Sequence, residues 1–236
     1  MYQALVITPV KNALQNTLEA CQAISESTVP LRHIVFNDFS EPETKAGLEA
    51  ATKTGHFELV HLEDHTQHPS PNYKLVLQMA QNLALEARLP LVIVESDVTV
   101  RKDTVETLLS HLSRTKDSGL IGAVTTDGSG KINYPYEKFK NVKVSSCPTQ
   151  RSLSFCCTLI SLEFLDAFSF KGLDDSKDWF DTFISKKALA LNFVNTVVFE
   201  SPVIHKPHSS RPWKLLKYSN PLSYYLQKLL KRRDKI

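Results

Sequence analysis

Glycine is scarce in this chain, with 7 in 236 residues, and none falls in the turn that follows the first apolar segment. No GxGxxG, GxxxxGK[S/T] or GxSxG stretch occurs, so a standard dinucleotide fold, a P-loop NTPase and an α/β-hydrolase each lack their defining turn. Long apolar runs are missing as well. Nothing approaches the roughly 18 residues of a membrane span, and the start MYQALVITPV has neither a basic n-region nor a small-residue cleavage site. The expected location is therefore cytoplasmic. Cysteine is sparse: Cys156 and Cys157 are adjacent, Cys21 and Cys147 stand apart, and no CxxC suggests zinc or redox chemistry. Buried, reduced thiols are the expectation.

What is present is ordinary for a folded globular protein. A hydrophobic share of 42% and a charged share of 22% exclude a disordered or fibrous chain. The length suits one well-buried domain with an appendage, drawn here as residues 1–210 and 211–236. Charge marks the same division, because residues 211–236 carry eight basic side chains and one acid, a net +7 that leaves −4 on the rest of a +3 chain. A basic tail on an acidic body predicts an anionic partner for the tail.

Strand and helix signals alternate through the first half. Ala4 to Thr8 is apolar without alternation, as in a parallel strand covered on both faces, and Leu14, Leu18, Cys21 and Ile24 follow at helical spacing. His33 to Phe36 predicts a second strand, with Ser40 and Glu43 as a capping box for a helix running towards Thr54. Phe57 to Leu62 is a third strand candidate. Leu75, Val76, Met79, Ala80, Leu83 and Ala87 form a helical stripe stopped by Pro90, then LVIVES gives the most hydrophobic strand, and Asp103 and Glu106 cap the next helix. This order predicts an α/β fold with a doubly wound, mostly parallel sheet. Beyond Asp127 the pattern weakens: 127–150 reads as a long loop with one edge hairpin, 155–160 as a strand, 178–191 as a helix, and 197–205 as a strand interrupted by Pro202.

Ligands of open α/β sheets bind beyond the carboxyl ends of the strands. Pro9 to Asn12, Asn37 to Ser40 and Glu95 to Asp97 occupy those places. Glu95 and Asp97, at i and i+2 after a buried strand, offer hard oxygen ligands to Mg2+ or Mn2+, which bind through one or two carboxylates plus substrate phosphates.

Taken in order, VITPVKN, HIVFNDFSEPET, LVIVESDV, KDWFDTFISKKALAL and VIHKPHSS resemble the family 2 glycosyltransferases of the GT-A fold over residues 3–210. The resemblance implies a Rossmann-like sheet flanked by helices, to which the tail's own pattern adds a C-terminal helical extension. It also implies an inverting transfer from a nucleotide-diphosphate-sugar donor to a saccharide or lipid-linked acceptor, in cell-surface polysaccharide or glycolipid synthesis. Thr8, Pro9, Val10, Asn12, Asp38 and Ser96 would then bind the nucleotide, and Asp97, Glu95 and His205 the Mn2+ or Mg2+ ion. The base would be Asp178, with Asp181 one turn on. Glu95, Asn37 and Lys177 depart from the residues usual in the family, while Asp174 and Asp175 fit a loop and cap.

His61, His65 and His68 lack the HExxH pattern and predict a loop flanking the donor site rather than zinc. In the tail, Asn220 and Pro221 suit a helix start, followed by an apolar face of Leu222, Tyr225, Leu226, Leu229 and Leu230 beside Lys228, Lys231, Arg232 and Arg233. Such a helix can lie on an anionic membrane surface, here the inner face, and no nucleic-acid partner is expected. Two rival readings are a nucleotidyltransferase, which usually carries a glycine-rich basic first turn, and a non-catalytic nucleotide-sugar binder.

Overall fold

The computed structural model describes residues 1–174 and 179–206, and residues 220, 222, 223, 225 and 226 of the C-terminal segment. The chain separates into two units, Met1–His205 and Lys206–Ile236. In the first unit the elements are β1 (Ala4–Val10), α1 (Leu14–Ser25), β2 (Leu31–Asn37), α2 (Pro42–Ala51), β3 (Glu58–His61), α3 (Tyr73–Ala87), β4 (Leu91–Val94), β5 (Val98–Thr99), α4 (Thr104–Arg114), β6 (Ser118–Thr126), β7 (Ser146–Thr149), β8 (Cys157–Ile160), α5 (Leu162–Ala167), α6 (Phe180–Ala190) and β9 (Val194–His205). They build one sheet in the order β3-β2-β1-β4-β8-β6-β9-β5, with β7 added on β9.

The sheet has two parts. β3, β2, β1 and β4 run parallel, each linked by a helical crossover. From β4 onward β8 is antiparallel to both β4 and β6, whereas β6 and β9 are parallel. Side chains alternate faces along every strand, so Leu5, Ile7, Leu91, Ile93, Leu120 and Val124 enter one core and Ala4, Val6, Val92, Val94, Ile121 and Ala123 the other. A one-residue slip would exchange the two sets, which is how the continuous apolar runs fix the register. Truncating a buried member such as Leu77 would cost about 2–5 kcal/mol, because transfer and cavity terms add.

Several local expectations are corrected. The N-cap of α2 is Glu41 with Pro42 behind it, and no side chain caps the helix; Ser40 instead accepts a hydrogen bond from the Asn12 amide at 3.0 Å. Asp103 does sit at the N-cap of α4, but its carboxylate is paired with Arg101. Val76 and Ala80 of the predicted α3 stripe are buried, together with Leu77, Gln81 and Ala84, whereas Leu75, Met79 and Leu83 are partly buried at the edge of the core. Gln81 can be buried because its amide donates to Leu165 O and Phe168 O, both at 2.7 Å, and accepts from Phe170 N at 2.7 Å.

The segment expected to be a loop with a hairpin contains a tight turn closed by a Thr126–Ile132 bridge and then β7, which pairs antiparallel with β9. β9 runs unbroken through Pro202, and the register against β6 jumps from Ala123–Val198 to Thr125–Val203. That irregularity takes up the missing proline donor. Gly122 on β6 leaves room for a buried tyrosine, since a Cβ there would lie 2.7 Å from Tyr136 Oη. In the C-terminal unit the Asn220 side chain accepts from the Ser223 amide at 3.1 Å, an N-cap bond, with Leu222, Tyr225 and Leu226 exposed. Leu229, Leu230, Lys228, Lys231, Arg232 and Arg233 lie outside the described residues. No helix among those described is long and apolar enough to cross a membrane.

Candidate active site

β4 ends at Val94, and the chain turns through Glu95, Ser96 and Asp97 into β5. Strand pairing then decides what meets these residues. Val98 pairs with His205 at the end of β9, which brings the histidine alongside Asp97 with Nε2 3.5 Å from Oδ2. The Glu95 amide donates to the Cys156 carbonyl at 3.0 Å, continuing the β4–β8 ladder, and puts the Cys156 thiol 3.5 Å from Glu95 Oε2. Donor atoms of Glu95, Cys156 and His205 all lie within 4.8 Å of one another. They come from three places up to 110 residues apart in a 236-residue chain.

His205 is held in the orientation a metal ligand needs. Its Nδ1 donates to the Tyr134 carbonyl at 2.8 Å, and Asn133 Nδ2 donates to the His205 carbonyl at 3.1 Å. With Nδ1 committed to the Tyr134 carbonyl, Nε2 is the ring atom that faces Asp97. Burial opposes charge on this imidazole, but Asp97, the Tyr134 carbonyl and Glu95 outweigh it and hold its pKa above the ordinary histidine value. Two carboxylates and an oriented imidazole are a donor set that Mn2+ or Mg2+ accepts, so Glu95, Asp97 and His205 could hold such an ion. Burial, with Glu95 beside it, pushes the Cys156 thiol well up. Ser96, between the two acids, is buried.

Asp181 lies in the first turn of α6, where the helix dipole favours an acid. Burial raises the Tyr136 phenol above its usual range, with smaller contributions from Cys156, Cys157 and Asp181. Tyr136 Oη accepts from the Ser154 amide at 3.2 Å, and the Ser154 hydroxyl is 3.3 Å from Cys156 Sγ, so one short chain of contacts leads from the β8 entrance to Tyr136. Asp178, Lys177 and Asp175 lie outside the described residues. Helix α6 itself begins at Phe180 rather than at 178.

The carboxyl ends of β1 and β2 are knitted together. Asp38 accepts from Ser70 Oγ at 2.7 Å, Asn72 N at 2.9 Å and Asn72 Nδ2 at 2.8 Å. Asn37 Nδ2 lies 2.9 Å from His61 Nδ1, whose other ring nitrogen is 3.3 Å from Glu49. His68 Nδ1 is 2.8 Å from Pro69 O, and neither His61 nor His68 joins a metal-type cluster among the described residues. Asn12 has a φ of 53° and binds the Glu41 amide at 2.7 Å through Oδ1. Val10 is buried, Pro9 half-buried, and Thr8 is buried with its hydroxyl 3.0 Å from His33 Nε2. Burial pushes His33 down to about 3, so that contact is made by a neutral ring.

Cys156 and the Tyr134 carbonyl escape a sequence reading. Each is brought to the site by pairing between distant strands, and no local spacing announces it.

This is an α/β domain of the GT-A type, with an acid–histidine cluster where β4 leaves the sheet. The chain belongs to glycosyl transferase family 2, whose family model matches residues 5–168. Among solved structures it is similar to the mannosyltransferase PcManGT from Pyrobaculum calidifontis in complex with GDP-Man and Mn2+, with 15% identity and a TM-score of 0.65, covering 100% of this chain and 66% of that one. It is also similar to S. aureus TarS, with 16% identity and a TM-score of 0.63, covering 86% of this chain and 60% of that one. The TarS complex with UDP gives 15% identity and a TM-score of 0.63, covering 91% and 63%. The chain thus spans less than two thirds of these structures. No curated protein matches it.

Proposed function

We propose that this domain transfers a sugar from a nucleotide-diphosphate-sugar donor to an acceptor hydroxyl by a metal-assisted inverting displacement. The observation that carries the reading is the meeting of Glu95 and an oriented His205 at the carboxyl end of β4, with Asp97 3.5 Å from the same imidazole, in a chain of family 2. The complexes of PcManGT with GDP-Man and Mn2+ and of TarS with UDP support a nucleotide-linked donor and a divalent ion.

A bound Mn2+ or Mg2+ ion would stabilise the charge that develops on the departing diphosphate. Asp97 and Glu95 would supply the oxygens for that ion, and His205 the nitrogen. The end of β1 from Thr8 to Val10 and Asn12 beyond it, together with Asp38 and Ser96, border the nucleotide. A carboxylate, Asp181 in the first turn of α6 or Asp178 before it in sequence, takes the proton from the attacking acceptor hydroxyl, and opposite-side attack inverts the anomeric centre. The acceptor is a saccharide or a lipid-linked sugar, as in cell-surface polysaccharide or glycolipid synthesis.

A panel of nucleotide sugars and nucleoside diphosphates, each with Mn2+ and with EDTA, tests this. One donor should raise the melting temperature only with the metal and be slowly hydrolysed by the protein. Stabilisation without hydrolysis or transfer to any acceptor would leave a binding protein. For the basic tail we infer a peripheral contact with anionic lipid at the inner membrane face. Deleting residues 220–236 should weaken binding to anionic liposomes and leave donor hydrolysis intact; equal binding would end that reading.

A further inference from the structure

The cluster contains one group that a purely oxygen-and-nitrogen site for Mn2+ does not call for. Cys156 is 2% exposed, and its sulfur touches Glu95 Oε2 at 3.5 Å. Its position is imposed from three sides. The Glu95 amide holds its carbonyl, and the Ser154 hydroxyl lies 3.4 Å from its amide and 3.3 Å from its sulfur. With His205 Nε2 directed to the same place by the Tyr134 carbonyl, an imidazole nitrogen, a carboxylate oxygen and a thiol sulfur sit within 4.8 Å of one another.

We propose that Glu95, Cys156 and His205 form a mixed oxygen, sulfur and nitrogen site through which the protein binds a thiophilic divalent cation, of the Zn2+, Co2+ or Cd2+ class, with the Cys156 sulfur as a direct ligand. Such cations favour thiolate and imidazole, whereas Mn2+ and Mg2+ favour carboxylate and water. On binding, the Cys156 S–H bond breaks, its proton passes to solvent and a sulfur–metal bond forms, with no change of oxidation state. The cluster would therefore hold two kinds of ion in different ways. A hard ion rests on Glu95, Asp97 and His205; a thiophilic ion adds Cys156 and competes with it. This inference rests on the cluster being a cation site at all, as the proposed function requires.

Co2+ titration of the full chain, followed by absorption, reads the ligand atom directly and needs no activity. Wild-type protein should develop a near-ultraviolet sulfur-to-cobalt charge-transfer band that saturates at one equivalent. Cys156→Ser and Cys156→Ala should lose the band, while Cys147→Ser, a half-buried thiol elsewhere on β7, should keep it. By calorimetry Cys156→Ser should weaken Zn2+ binding at least about tenfold and leave Mn2+ binding within about threefold. Should both Cys156 variants fail to fold, the wild-type and Cys147→Ser spectra still decide whether a buried thiol ligates the ion. Co2+ binding without a sulfur band, or a band that persists in Cys156→Ser, overturns the sulfur ligand and leaves the oxygen–nitrogen site standing. No Co2+ or Mn2+ binding by the wild type would overturn the site and the proposed function together.

Discussion

Asp38 and Asp97 are acids beyond the carboxyl ends of β2 and β4, the two parallel strands that flank β1, and their surroundings differ. Asp38 is spent inside the protein: three of the roughly four acceptor positions of a carboxylate are filled by Ser70 and Asn72, which ties the end of β2 to the start of α3. Asp97 faces an imidazole 3.5 Å away whose other nitrogen is pinned to a backbone carbonyl, and it is this pair that the proposed cation site uses. The β1–β2 side is thus a finished hydrogen-bonded frame, and the β4–β9 side is a set of donors brought together from separate strands. Substitutions on the first side should be read mainly in stability, and on the second mainly in ion binding and turnover.

The largest effect is expected at Asp97. Asp97→Asn keeps the shape and removes the charge, so the fold should survive, at a cost of about 1–3 kcal/mol for the lost His205 contact, while transfer falls steeply and nucleoside diphosphate binding loses its Mn2+ dependence. Calorimetric titration of the diphosphate with Mn2+ and with EDTA measures the second point. An unchanged metal-dependent affinity would erase the contrast with Asp38. Next in size is the base. Whichever of Asp178→Asn and Asp181→Asn removes it should lower turnover by about 10²-fold or more with the donor affinity kept, as expected of a group that acts on the acceptor. Single-turnover rates on both variants assign the role, and two unaffected variants would move the base off this helix start.

The same contrast explains what the sequence discloses. The frame is legible because it is local: β1, β2 and β4 are apolar runs, with Pro9 near the end of β1, Asp38 just past β2 and Asp97 three residues past β4, and α3 closes on a left-handed Arg88 two residues before Pro90. Even there Gln81 defeats periodicity, since only α5 and the turn after it, more than 80 residues away, satisfy its amide. The β4–β9 side is less legible. β6 is the central, fully buried strand of that half, yet SGLIGAVTT has two glycines and small residues, which weaken its apolar signal. Asp97 and His205 can each be singled out by position, but their meeting depends on the two-residue strand β5. Cys156 carries no local mark at all, because its role comes from the pairing of β8 against β4.

The smallest effect, and the sharpest test of the comparison, is at Asp38. Removing its carboxylate in Asp38→Ala would leave the buried Asn72 amide and the Ser70 hydroxyl without their acceptor, at a cost of about 1–3 kcal/mol. Asp38→Asn, which keeps one acceptor oxygen but turns an NH2 towards donors, should fall between the wild type and Asp38→Ala. Chemical denaturation midpoints should therefore rank wild type, Asn and Ala in that order. Nucleotide affinity should weaken in parallel with the midpoint, because the frame that borders the nucleotide loosens with it. Nucleotide affinity that drops while the midpoint stays put would reverse the assignment and place Asp38, like Asp97, among the groups that face the ligand.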